Sequence, residues 1–100
     1  MRSITITYQY DGDELVWQQA IDGFVNALDA DPDAARFSYQ VAVADDGVTR
    51  IHWGRWDTPE TLEHVHAQAY FKTFAAKVTE FSGGARNVTG ADIKTRTANW

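Results

Sequence analysis

Residues 3–10 alternate: Ile4, Ile6, Tyr8 and Tyr10 point one way, and Ser3, Thr5, Thr7 and Gln9 the other. That is the period of a strand with one buried face. Over 14–30 the period becomes helical, with Trp17, Ala20, Ile21, Phe24, Ala27 and Leu28 on one face and Gln18, Gln19, Asp22, Asn26 and Asp29 mostly opposite. Asp13 stands where an N-cap carboxylate accepts the first free amides, and Asp31-Pro32-Asp33 stops the helix. Alternation returns over 36–44, with Phe37, Tyr39, Val41 and Val43 on one face and Ser38, Gln40, Ala42 and Ala44 on the other. Asp45-Asp46-Gly47 is a hairpin signal, and 48–57 is the returning strand. Thr58-Pro59-Glu60 starts a second helix, with threonine as cap, proline at the first helical position and an acid at the positive end of the dipole. It runs to about residue 80 and ends at Ser82-Gly83-Gly84; a last strand falls over 88–97, with polar and charged residues on both faces. The order β-α-β-β-α-β predicts a ferredoxin-like α+β sandwich: a four-stranded antiparallel sheet with two helices on one face.

Cross-strand neighbours share a sheet face, so the hairpin register decides which residues meet the helices. A turn on Asp46 and Gly47, with Asp45 opposite Val48, pairs Val41 with His52, Tyr39 with Gly54 and Phe37 with Trp56. His52 and Trp56 then face the helices, and Ile51, Trp53 and Arg55 face away; a loop one residue longer exchanges the two sets. In the two-residue register Gly54 either leaves room for a ligand, with Tyr39, His52 and Trp56 rimming a hollow, or is simply a bulge or a glycine that fits. On an unbroken second helix, Leu62 and His66 lie about 40° apart, so His66 points inward, while His64, about 200° from Leu62, points outward. Val65 and Ala69 flank the inward stripe, which Phe71, Phe74, Val78 and Phe81 continue, and Tyr70 sits at its border.

Composition narrows the partners. With 44% hydrophobic and 13% aromatic residues, 100 residues can bury the core of one domain spanning 1–100, and no linker or repeat divides them. A net charge of −5 without a cluster of Lys or Arg argues against nucleic acid and against an anionic membrane surface. There is no cysteine, which removes disulfides, thiolate metal sites and cysteine nucleophiles. The acidic N-terminus does not read as a signal peptide, and no apolar run approaches the ~20 residues of a membrane span. A cytoplasmic protein is expected.

The candidate chemistry is sparse. His64 and His66 diverge on a helix and cannot share a metal, since helical metal pairs use i, i+4 spacing; His52 and His66 alone fall short of a zinc set, so no metal is expected. An imidazole suits proton transfer near neutrality, so an inward His66 is either a general base or a core histidine bonded to a buried tyrosine or carbonyl. No nucleophile elbow, P-loop or dinucleotide fingerprint is present. The phenylalanine stripe reads as core.

The stretch from Trp56 to Phe74 resembles the antibiotic-biosynthesis-monooxygenase-like family of the dimeric α+β barrel superfamily. Strand-ending Trp56, then Asp57, Thr58, Glu60, Leu62, Phe71 and Phe74, match that family in spacing, and the βαββαβ order extends the resemblance over most of the chain. The family's helix histidine falls on Val65, with His64 and His66 on either side, and its Ser/Thr and His before Phe71 are Gln68 and Tyr70 here. In the haem-degrading branch a Trp and a His map onto Val65 and Ala75, and the first-strand Asn is not evident, so the resemblance does not extend to that chemistry. It implies a homodimer whose sheets pack face to face through residues such as Ile51 and Trp53, with a pocket between sheet and helices in each subunit. It also implies an oxygenase acting on a small phenol- or quinol-type aromatic without metal, flavin or other cofactor. In that reading His66 is the base, Tyr39 and His52 bind the substrate oxygen, and Trp56 and Tyr70 wall the pocket. The superfamily also holds isomerases, dehydratases and ligand sensors, which leaves open a non-catalytic dimeric binding module and an isomerase or lyase using His66.

Overall fold

The computed structural model describes residues 1–99. The order is β1 (Arg2–Gln9), α1 (Glu14–Ala30), a 3-10 turn (Pro32–Ala34), β2 (Phe37–Val43), β3 (Thr49–Trp56), α2 (Pro59–Ala67), α3 (Ala69–Ser82) and β4 (Asn87–Asp92). The strands form one antiparallel sheet in the order β2-β3-β1-β4, the ferredoxin-like α+β arrangement. No helix of the described residues is long and apolar enough to cross a membrane.

The helical period of α1 buries Trp17, Ile21, Phe24 and Leu28. Asp13 caps it, its Oδ1 accepting from the amides of Leu15 at 2.9 Å and Val16 at 3.2 Å. The β2–β3 register is the expected one, with Phe37 opposite Trp56, Tyr39 opposite Gly54 and Val41 opposite His52. The turn is longer than two residues: Ala44 N–H donates to Thr49 O, Gly47 N–H to Ala44 O, and 45–48 loop out with Gly47 at φ 75. Asp46 closes that loop by accepting from the amides of Val48 and Thr49, each at 2.8 Å. A four-residue loop keeps the parity of a two-residue one, so His52 and Trp56 lie on the helix side and both are buried.

Three expectations change. The space over Gly54 is not left open: a Cβ there would stand 2.9 Å from Cδ1 of Tyr39, whose ring lies across the glycine. The second helix is two. Gln68 adopts an extended backbone (ψ 144), its N–H closes α2 on Val65 O, and its carbonyl accepts from Phe71 and Lys72 to start α3. Its Nε2 also donates to His64 O at 2.9 Å, so one residue satisfies groups at both helix ends. The break alters the rotation derived for a continuous helix: Val65 is the fully buried residue of α2, His66 is exposed and His64 half-buried. Finally, β4 stops at Asp92, not at 97. Among the described residues it is an exposed edge strand pairing with β1 alone, and at Arg2↔Asp92 β1 has no further strand to offer.

Candidate functional site

A cavity of about 280 Å³ lies between the sheet and the helices. The sheet contributes Ile4, Ile6, Phe37, Tyr39, Trp56 and Val88; the helices contribute Phe24, Leu62, His66, Phe71, Phe74, Ala75 and Val78; Arg86 approaches from the loop after α3. Its walls are aromatic and mutually packed. Phe24 stacks on Phe74 at 4.0 Å between centroids, and Phe37 lies near-parallel to Trp56 at 5.8 Å. Four lining side chains carry polar groups: Tyr39, Trp56, His66 and Arg86. The His66 ring packs against Phe71 at 4.5 Å, and Arg86 Nη1 donates to Thr79 Oγ1 at 3.3 Å.

Behind Tyr39 lies a buried polar chain. The Tyr39 hydroxyl meets His52 Nδ1 at 2.8 Å, His52 Nε2 meets the Tyr8 hydroxyl at 2.8 Å, and Trp17 Nε1–H donates to Tyr8 Oη at 3.0 Å. His52 is fully buried and does not itself line the cavity. Burial pushes its pKa down to about 4, so the imidazole is neutral at physiological pH. Burial likewise drives the phenol of Tyr39 far above its ordinary range and raises that of Tyr8. Beneath Trp17 the fully buried Arg50 guanidinium sits 4.4 Å from the ring centroid. It forks onto the Glu14 carboxylate and donates to Tyr10 O at 2.9 Å.

The five residues singled out from the sequence divide. Tyr39, Trp56 and His66 line the cavity; His52 stands one layer behind, in contact through Tyr39; Tyr70 lies away from it. The Tyr70 hydroxyl donates to Asp31 Oδ2 at 2.9 Å, and the same oxygen meets His64 Nε2 at 2.8 Å. Asp31 is held below the usual carboxylate range, chiefly by His64, while burial and then Asp31 push Tyr70 up to about 12. Asp31, Asp33 and His64 each offer one ligand atom within 4.8 Å of the others, but Asp31 Oδ2 is already engaged by His64 and Tyr70. Sequence reasoning passed over Phe24, Arg86, Tyr8 and Trp17. The first belongs to a helical core stripe and the second to a loop, and only the fold brings both to the cavity. Tyr8 was assignable to the face of His52 by strand alternation, and Trp17 to the inward face of α1, but neither pattern shows that their polar atoms meet.

The sequence matches no protein-family model and no curated protein. Its fold does have solved counterparts. Rv0793 from Mycobacterium tuberculosis superposes with a TM-score of 0.79 at 14% identity, over 97% of this chain and 98% of that one. SnoaB of Streptomyces nogalater, a cofactor-independent oxygenase, gives 0.75 at 10% identity over 98% and 97%. A Caulobacter crescentus protein described as a candidate antibiotic biosynthesis monooxygenase gives 0.73 at 15% identity over 94% and 90%. The fold is therefore that of the antibiotic-biosynthesis-monooxygenase-like proteins.

Proposed function

We propose that this protein is a cofactor-independent monooxygenase-like enzyme, active as a cytoplasmic homodimer on a small phenol- or quinol-type aromatic bound in the cavity. The observation that carries this reading is the aromatic cavity with an imidazole, His66, among its lining, in a fold shared with a cofactor-independent oxygenase. His66 takes the substrate's phenolic proton, and Phe71 against its ring holds it in place. The ionised ring is then electron-rich enough to react with dioxygen. At a ring carbon bearing one hydrogen and conjugated with the phenolate, dioxygen adds and takes back the proton from His66 to give a hydroperoxide, and loss of water leaves a carbonyl. One oxygen atom enters the substrate, the other leaves as water, and the substrate supplies the electrons. Apolar walls exclude water, and Tyr39 with His52 behind it holds the anionic oxygen. Trp56 walls the pocket; Tyr70, bound to Asp31, does not line it.

A second reading, a dimeric binding module without catalysis, is favoured by two observations: both ring nitrogens of His52 are engaged by tyrosines, and His66 is exposed. Oxygen uptake with a panel of hydroquinones and anthrones separates the two. The wild type is expected to consume oxygen, and His66→Ala to lower the rate roughly a hundredfold or more. No substrate-dependent uptake, or equal rates in both proteins, would sink the oxygenase reading. Tight binding without turnover would leave the binding module, and turnover under nitrogen would indicate an isomerase or lyase.

A further inference from the structure

The hydrogen bonds behind the cavity have a direction. An indole N–H can only donate, so the 3.0 Å bond runs from Trp17 to the Tyr8 oxygen. Tyr8 is buried, and the other polar atom its hydroxyl meets among the described residues is His52 Nε2. Were Nε2 protonated, Tyr8 would receive two donors while its own proton lacked an acceptor among the described contacts, which buried hydroxyls avoid. Tyr8 therefore donates to a bare Nε2. A neutral imidazole then carries its proton on Nδ1, and Nδ1–H donates to the Tyr39 oxygen. The proton of Tyr39 is left without an acceptor among the described contacts, and of the four residues only Tyr39 lines the cavity.

We infer that Trp17, Tyr8 and His52 form a one-way hydrogen-bond chain that holds the Tyr39 hydroxyl as a donor for a carbonyl or phenolate oxygen of the bound ligand. This rests on the cavity being the ligand site proposed above. Tyr39 is the group that touches the ligand; Trp17, Tyr8 and His52 are positioning residues. Each donation strengthens the next along such a chain, and the Arg50 guanidinium against the Trp17 ring adds positive charge at its far end. The arrangement selects ligands by what they present: an oxygen that accepts is met by a proton, whereas a methyl group at the same position leaves that proton unmet.

NMR of the imidazole nitrogens in the wild type at neutral pH reads the tautomer directly, with His52 assigned by comparison with His64→Ala and His66→Ala. The Nδ1–H form is expected, and Tyr8→Phe is expected to populate Nε2–H. An Nε2–H wild type, or a tautomer unmoved by Tyr8→Phe, overturns the chain. The ligand half is read with para-nitrophenolate against para-nitrotoluene. Tyr39→Phe is expected to weaken the phenolate by about tenfold to a hundredfold and to leave the toluene unchanged. Equal loss for both probes, or no binding of the phenolate by the wild type, overturns it. Neither readout involves oxygen, so failure of the oxygenase reading leaves both standing, and failure here leaves the oxygen-uptake result untouched.

Discussion

His52 takes up its proton at a different pH in the folded and the unfolded chain. Burial holds the folded imidazole down at about 4, while the unfolded chain protonates near the ordinary 6.5. Between those values the unfolded state binds more protons. The contribution to stability is therefore complete above pH ~6.5 and is lost as pH falls toward ~4, by about 3 kcal/mol. Urea unfolding at pH 7 and pH 4.5 should show that loss in the wild type and its absence in His52→Phe; equal pH dependence would contradict it. The carboxyls of Asp31 and Asp46 are held low by hydrogen bonds and withdraw their share in more acid solution. That His52 and Trp56 share the helix-facing side with Tyr39 was legible for an even-length loop, where alternation puts all three on one side; the structure supplies that loop length. That the Tyr39 ring fills the gap over Gly54 was not: spacing reports a missing side chain without saying which neighbour occupies its place.

Between elements, Arg50 fastens β3 to the first turn of α1. Its guanidinium is fully buried while the Glu14 side chain reaches it from the surface, and its second partner is Tyr10 O, beyond the end of β1. A planar fork suits this double task and an ammonium does not. Arg50→Ala is expected to lower stability on the order of 2–3 kcal/mol in chemical denaturation, through lost packing on Trp17 and unmet carbonyls. Arg50→Lys should recover little, and Glu14→Gln should destabilise without affecting the fold. A lysine variant as stable as wild type would show that the fork has no role. The two helices and their inward faces could be read because apolar spacing and caps at Asp13 and Thr58 agree. The division at Gln68 could not, since no glycine or proline marks it and the apolar stripe runs on across it.

In the whole molecule, the second sheet face is the one turned away from the helices. Ile51, Trp53 and Arg55 lie there half-buried, with the Arg55 guanidinium 5.2 Å from the Trp53 ring centroid, beside Thr5, Thr7 and Gln40. A second copy packed on this face is part of the proposed function. Sedimentation should give twice the mass of one chain, and Trp53→Asp should shift it toward one; a wild-type monomer would remove the dimer from the proposal. The fold was readable as a whole because each local pattern pointed the same way. The chemistry was less so: a cavity wall is assembled from several elements, and no single stretch encodes the assembly.

The seat of Tyr39 over Gly54 also fixes a dimension. Lying along the strand, the ring takes up floor and leaves headroom, and the remaining cavity of about 280 Å³ sits at the lower edge of the roughly 300–1,000 Å³ usual for small-molecule sites. Any side chain at position 54 would tip that ring upward and shorten the guest. In the proposed function, the bulk of the bound molecule is thus set by the one residue of β3 that contributes no atoms beyond its backbone.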